Sequence, residues 1–123
     1  MKLRIRENTL RIRITQSELK ELSNGMALSS TLHFPGGGRL SYSVTPSQEE
    51  TTQVEMKDQH ILVHLGLLDH QTIMDPSSVG VQSMHQTSER PFELLIEKDF
   101  SCLHPRGGED VDTFPNPNKK EII

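Results

Sequence analysis

Charged and apolar residues alternate at the start of the chain, and this alternation restricts the local fold more than any other feature. From Lys2 to Ile14 an apolar side chain occupies every second position on both sides of Glu7-Asn8. A period of two places apolar residues on one face of a β-strand and charged residues on the other. The segment therefore predicts a β-hairpin that turns at Glu7-Asn8. The side chains expected to be buried are Leu3, Ile5, Leu10, Ile12 and Ile14, and those of the opposite face are Lys2, Arg4, Arg6, Arg11 and Arg13.

The residues that follow carry the signals of a helix start and a helix end. Thr15 can cap the first turn with its hydroxyl group, and Glu18 stands where a carboxylate can reach back to the cap. Gly25 is typical of the position just beyond a helix C-terminus. The segment therefore predicts a short helix that Thr15 caps and that runs to about Ser23.

The remainder of the chain alternates between short apolar runs and turn-forming residues. Six further runs have a period of two, and the residues from Leu67 to Met74 can form a second short helix. Only 33% of the residues are hydrophobic and none is Trp, so the core is expected to be thin. We expect a strand-rich α+β fold, with about eight short strands in an antiparallel barrel or sandwich and one or two short helices. No sequence repeat is evident, and we expect one domain over residues 1–123.

Periodicity ends near Asp99. The segment beyond it is acidic and rich in Pro and Asn, and its main apolar side chains are Phe114, Ile122 and Ile123, with Phe100, Leu103 and Val111 as further ones. Such a composition predicts irregular structure. Because Asp99, Glu109, Asp110 and Asp112 can offset the charge of the hairpin, we expect this segment to pack close to the hairpin's basic face.

The basic face of the hairpin is the first candidate site. A turn at Glu7-Asn8 places Arg4 opposite Arg11, and like charges directly opposite each other are destabilising. Water and salt, the protein's own carboxylates, or an anionic ligand such as phosphate or RNA can offset this repulsion. The candidate anion-binding residues are Arg4, Arg6, Arg11 and Arg13. The paired E-x-E-x-K signature of triphosphate tunnels is absent from the sequence.

The C-terminal segment contains a second candidate site, for a metal ion. Carboxylate, thiol and imidazole ligands follow one another closely in it, at Asp99, Cys102, His104, Asp110 and Asp112. The sequence has no paired C-x-x-C and no two histidines at ligand spacing there, so a solvated acidic loop is the competing interpretation. We expect no cofactor and no stoichiometric zinc.

Charge and cysteine content limit the function classes. A net charge of -4 disfavours a general nucleic-acid binder, and no stretch is apolar enough for a signal peptide or a membrane span. Cys102 is the single cysteine, so the chain can form no internal disulfide, and we expect a cytoplasmic protein. We favour a non-catalytic module that binds a protein partner or a second copy of itself. The alternatives are an anion- or phosphate-handling enzyme, with or without a metal, and a weak nucleic-acid binder.

The two ends of the chain resemble a known family. The segments RENTLRIRITQSEL and LLIEKDFSCLHPRGGEDVDTFPNPN are similar to those of short bacterial proteins that form a domain family of unknown function. The E-K-D-F-x-C-L and E-D-x-D-x-F-P-N-P patterns carry most of the resemblance. The resemblance implies one domain and a cytoplasmic location, and it implies no activity.

Overall fold

A computed structural model describes residues 1–100 and 112–115. Within these residues the chain forms eight strands and two helices, which confirms the strand-rich α+β class. In chain order the elements are β1 (Lys2–Arg6), β2 (Thr9–Ile14), α1 (Gln16–Ser23), β3 (Leu28–His33), β4 (Arg39–Pro46), β5 (Gln53–Lys57), β6 (His60–Leu65), α2 (Leu67–Met74), β7 (Gly80–His85) and β8 (Phe92–Lys98). Both helices lie where the sequence predicts them.

The strands form two four-stranded sheets of mixed direction. The first sheet has the order β1-β2-β8-β7 and the second has the order β3-β4-β6-β5. The hairpins β1–β2, β3–β4 and β5–β6 are antiparallel, as expected for strands joined by short turns. In contrast, β2 runs parallel to β8 and β4 runs parallel to β6. The expected antiparallel arrangement therefore holds for these hairpins but not for one pair in each sheet. Each parallel pair joins strands that are distant in the chain, since parallel strands need a long connection.

The chain forms two compact units, one comprising Met1–Leu19 with Gln82–Ile123 and the other comprising Lys20–Val81. Apolar side chains of the strands supply the core of each unit, and in the second unit Leu22 of α1 and Ile73 of α2 join them. The fully or almost fully buried ones are Leu10, Ile12, Ile14, Leu94 and Ile96 in the first unit, and Leu22, Leu28, Val44, Val63, Leu65 and Ile73 in the second. No helix among the described residues has the length and apolarity needed to cross a membrane. The expectation of a single domain stays a prediction.

The two sheets share one topology, which the sequence did not reveal. β1, β2 and α1 begin at Lys2, Thr9 and Gln16, and β5, β6 and α2 begin 51 positions later, at Gln53, His60 and Leu67. The pairing register repeats as well, because Lys2 pairs with Arg13 and Gln53 pairs with His64. The chain thus contains two tandem repeats of a strand–strand–helix–strand–strand motif, β1 to β4 and β5 to β8. Each sheet combines two strands of one repeat with two of the other. Few residues are identical between the copies, so the repeat becomes evident only from the structure.

The N-terminal hairpin forms as predicted, except that two apolar residues of β1 are less buried than expected. The turn lies at Glu7-Asn8, and Arg4 pairs with Arg11 across it. Glu7 has a positive φ of 51°, which the tight turn requires. Leu3 is half-buried and Ile5 is 64% exposed, whereas the sequence predicts both to be buried. Both lie on β1, the outer strand of its sheet, which among the described residues has a neighbouring strand on one side, β2.

Helix α1 has both of the predicted ends. The backbone N–H of Thr15 donates to Glu18 Oε1 over 2.9 Å, and the N–H of Glu18 donates to Thr15 Oγ1 over 3.3 Å. These two bonds form a capping box. At the other end, Gly25 has a φ of +78°, and the N–H of Met26 donates to the carbonyl of Glu21. This is the Schellman arrangement, for which glycine is the preferred residue.

A segment of backbone also caps the N-terminus of each helix. At α2, the N–H groups of Leu67 and Leu68 donate to the carbonyl oxygens of Glu49 and Glu50. At α1, the N–H of Gln16 donates to the carbonyl oxygen of Asp112 over 3.1 Å. The first N–H groups of a helix have no partner within the helix, so these bonds satisfy donors that would otherwise be unpaired. Asp112 thus does for α1 what Glu49 does for α2.

The approach of backbone to α2 depends on Gly66. This residue precedes the helix, and its N–H donates to Thr52 Oγ1 over 3.0 Å. A Cβ atom at Gly66 would lie 2.3 Å from the carbonyl carbon of Thr51 and 2.6 Å from the nitrogen of Thr52. Thr52 is itself buried, and its hydroxyl donates to Asp69 Oδ2 over 2.6 Å. The site has room for glycine and for no residue with a side chain.

Candidate anion-binding site

One face of the first sheet carries the predicted cluster of cations. We call Lys2, Arg4, Arg6, Arg11 and Arg13 the basic face. Strand alternation places them opposite the buried residues of β1 and β2. Across the hairpin, Arg4 lies opposite Arg11 and Arg6 lies opposite Thr9. The parallel strand β8 extends the same face, because Thr9 pairs with Glu93 and Arg13 pairs with Glu97.

A pocket of about 290 Å³ opens on this face. We call it the arginine pocket, and its lining residues are Arg4, Arg6, Thr9, Arg11 and Glu93. Three of the four arginines predicted as anion-binding residues therefore line one cavity. The fourth, Arg13, lies on the same face and does not line the pocket. The side chains of Arg4, Arg6 and Arg13 are exposed, while Arg11 is partly buried.

Carboxylates offset part of this charge. Glu97 Oε1 lies 2.9 Å from Arg11 Nε, and Asp99 Oδ2 lies 3.2 Å from Lys2 Nζ. The Nε atom of Arg11 is buried and faces Glu97, so the two side chains form an ion pair. Among residues 1–100 and 112–115, Arg4, Arg6 and Arg13 form no ion pair. The basic face therefore keeps a net positive charge around the arginine pocket.

Glu93 is held in place by two neutral donors. Gln82 Nε2 donates to its Oε2 atom over 2.7 Å, and Thr9 Oγ1 donates to its Oε1 atom over the longer distance of 3.5 Å. Sequence reasoning missed Glu93 and Glu97 as members of this face. The alternation of Phe92–Lys98 does place both on one side of a strand, but only the parallel pairing with β2 brings that side next to the arginines.

The repeat supplies an internal comparison for the basic face. In the second sheet the positions equivalent to Arg4 and Arg11 hold Glu55 and Leu62, which lie on adjacent strands in the same register. The position equivalent to Arg13 holds His64, which lies 3.4 Å from Glu55. The same strand arrangement therefore forms without a cluster of arginines. The basic face is a property of the first sheet alone, and the fold does not require it.

The predicted metal ligands divide between described and undescribed parts of the chain. Cys102, His104 and Asp110 lie outside the described residues, as does Glu109. Asp99 is buried and pairs with Lys2, whereas Asp112 lies at the N-terminus of α1. Among the described residues, no three histidine, cysteine or acidic side chains form a group that could hold a metal ion.

The described part of the C-terminal segment packs on the first unit. The N–H of Phe114 donates to the carbonyl oxygen of Asp99 over 2.7 Å, and the rings of Phe100 and Phe114 meet edge to face at 5.9 Å. The buried Lys98 places its Nζ atom 5.6 Å from the centroid of the Phe114 ring. Asp99 meets the basic face at Lys2, as predicted from charge. Asp112 instead meets the end of a helix.

Asp112 makes stability depend on pH. A hydrogen bond from the Ser17 side chain is the main cause that lowers the pKa of Asp112 below the usual 3.8. Desolvation opposes it, and hydrogen bonds from Thr15 and from the Ser17 backbone N–H lower the pKa further. A carboxyl whose pKa is lower in the folded state stabilises the fold above its unfolded pKa and loses that effect as the pH falls.

We therefore expect Asp112→Asn to lower the urea midpoint at pH 7, because the ionised carboxylate is the form that folding favours. The gap between the wild-type and variant midpoints should narrow as the pH falls below 3.8. Urea titrations of both proteins between pH 7 and pH 2.5 test this. A gap that stays constant over this range would contradict the role of the ionised carboxylate.

Comparison with known proteins identifies a family for the chain. Neither the curated proteins nor the solved structures include a significant match. A family model covers residues 1–118, which span both repeats and the arginine pocket. The chain belongs to DUF7009, a family of unknown function.

Proposed function

We propose that the chain is a non-catalytic binding module whose arginine pocket holds an anionic group of the phosphate type. The observation that carries the proposal is the pocket itself, in which three arginines line one cavity of about 290 Å³. Guanidinium groups carry several N–H donors in a fixed geometry that matches the oxygens of phosphate and carboxylate groups. Phosphate is thus the simplest ligand that uses the charge and the donors together.

Two further observations support the proposal. In the second sheet the same arrangement of strands forms without arginines. The first sheet therefore does not need its mutually repelling arginines in order to fold. In addition, Arg4 and Arg6 are exposed and form no ion pair among the described residues, which leaves their guanidinium donors for a ligand oxygen. Binding without catalysis is proposed because arginine stays protonated at physiological pH and transfers no proton.

We also propose a bacterial source and a cytoplasmic location for the protein. A bacterial source rests on the resemblance of the two terminal segments. A cytoplasmic location is supported by Cys102 as the single cysteine, since the chain then needs no oxidising compartment to fold. A protein partner remains compatible with the proposal where that partner presents an anionic group to the pocket.

Titration calorimetry with inorganic phosphate and with pyrophosphate tests the proposal. Removal of one charge-assisted hydrogen bond costs about 1.5–3 kcal/mol, so Arg4→Gln should weaken binding about tenfold or more, and Arg4→Gln with Arg6→Gln should abolish it. Both variants should unfold at the same or a higher temperature than the wild type, because each relieves like-charge repulsion.

Arg39→Gln is the matched control. Arg39 is an exposed arginine at the start of β4, in the unit that lacks the arginine pocket, and its replacement changes the net charge by the same amount. It should leave phosphate binding unchanged. The proposal fails if the wild-type protein binds neither phosphate, pyrophosphate nor a phosphoester, or if Arg39→Gln weakens binding as much as Arg4→Gln does.

A further inference from the structure

A carboxylate in a pocket that binds anions needs an explanation. Glu93 lines the arginine pocket together with three arginines, and a fixed negative charge repels a phosphate group. Glu97, which lies on the same face, has a cationic partner, since it forms an ion pair with Arg11. Among the described residues, Glu93 forms no ion pair. Glu93 therefore does not neutralise an arginine by direct contact.

The orientation of Glu93 is nevertheless defined. Gln82 donates to one carboxylate oxygen over 2.7 Å, and Thr9 donates weakly to the other. An ionised carboxylate can accept about four hydrogen bonds, so two neutral donors leave acceptor capacity on Glu93. The pocket thus combines three groups that bind an anion with one that accepts a hydrogen bond.

We infer that Glu93 is a specificity residue and that the ligand is a small hydroxylated phosphoester, whose phosphate binds the arginines and whose hydroxyl donates to Glu93. This inference rests on the proposed function. A hydroxyl is favoured over an ammonium group as the donor because three arginines repel a second cation. The volume of about 290 Å³ lies at the lower limit of small-molecule pockets, which fits a ligand of a few carbon atoms.

The combination also discriminates against simple anions. If the ligand has no hydrogen-bond donor, Glu93 repels its phosphate group and nothing offsets this repulsion. A hydroxylated ligand instead donates a charge-assisted hydrogen bond to Glu93. Glu93 therefore lowers the affinity for phosphate itself and raises the affinity for a phosphoester with a neighbouring hydroxyl group.

Calorimetric titration with methyl phosphate, glycerol 3-phosphate and phosphoethanolamine tests the inference. The first lacks a donor next to its phosphate, the second carries hydroxyl groups and the third carries an ammonium group. The wild-type protein should bind glycerol 3-phosphate about tenfold more tightly than methyl phosphate, the effect of one charge-assisted hydrogen bond. In Glu93→Ala this preference should disappear, while the affinity for methyl phosphate should rise.

Glu97→Ala is the matched control, because it removes a carboxylate from the same strand and the same face. It frees Arg11 and should strengthen binding of both phosphoesters alike, so that the preference for glycerol 3-phosphate is kept. Equal binding of methyl phosphate and glycerol 3-phosphate by the wild type would overturn the inference, as would a preference for glycerol 3-phosphate that persists in Glu93→Ala. Either result would leave the proposed anion-binding function standing. Tightest binding of phosphoethanolamine would overturn the hydroxyl assignment. Failure of every phosphate compound to bind would overturn the proposed function as well.

Discussion

Replacement of Gly66 by alanine is expected to destabilise the protein by more than about 3 kcal/mol, the upper part of the range for overpacked sites. The new Cβ atom would lie 2.3 Å from the carbonyl carbon of Thr51, and real side chains do not approach backbone that closely. Flexible side-chain atoms could move aside, but Thr51 and Thr52 belong to a segment that hydrogen bonds fix to α2. Urea denaturation followed by circular dichroism measures the loss.

Gly38→Ala is the control for this experiment. It is the same chemical change, at a glycine whose added Cβ would lie 3.8 Å from the Cβ atom of Phe34, an ordinary contact distance. Its effect should stay within about 1 kcal/mol. If Gly66→Ala retained the wild-type midpoint, the segment before β5 would not lie against α2 as closely as described.

Truncation before Glu109 is expected to have the second largest effect. The deletion removes Asp112, whose carbonyl oxygen accepts from the first N–H of α1, and Phe114, which packs on Phe100. One half-buried aromatic side chain and two backbone hydrogen bonds contribute about 3 kcal/mol together. A chain that ends at Gly108 should therefore unfold at clearly lower urea concentrations than the full chain.

Charge removal distinguishes packing from electrostatics in this segment. A variant with Glu109→Gln, Asp110→Asn and Asp112→Asn keeps the carbonyl oxygen of Asp112 and the ring of Phe114. It should lose much less stability than the truncated chain, and high salt should diminish the difference from wild type. A truncated chain as stable as the full one would show that the segment contributes nothing to the fold.

Local patterns in the sequence identified most of the secondary structure. Period two from Lys2 to Ile14 predicted the hairpin and its register, because the turn and the alternation are both properties of neighbouring residues. Thr15, Glu18 and Gly25 likewise predicted the two ends of α1. The cluster of Arg4, Arg6 and Arg11 followed directly from the hairpin.

Pairing between distant strands could not be read in the same way. No pattern in residues 92–98 indicates that they run parallel to β2, so Glu93 and Glu97 were not expected beside the arginines. The repeat is not evident in the sequence because the two copies need to share only the alternation of apolar and polar positions. Arg4 and Glu55 occupy equivalent polar positions although their charges are opposite. Gly66 gave no signal either, since its φ of -69° is ordinary and only the approach of Thr51 restricts it.

The topology of the two sheets sets an order in which they can form. Ser41 pairs with His60, 19 positions along the chain, whereas Thr9 pairs with Glu93, 84 positions away. Closing a longer loop costs more conformational entropy and slows folding. During synthesis the second sheet can be completed once β6 has emerged, while the N-terminal hairpin must wait for β8. The arginine pocket therefore exists only after the two ends of the chain have met, and a ligand bound there would stabilise only fully folded molecules.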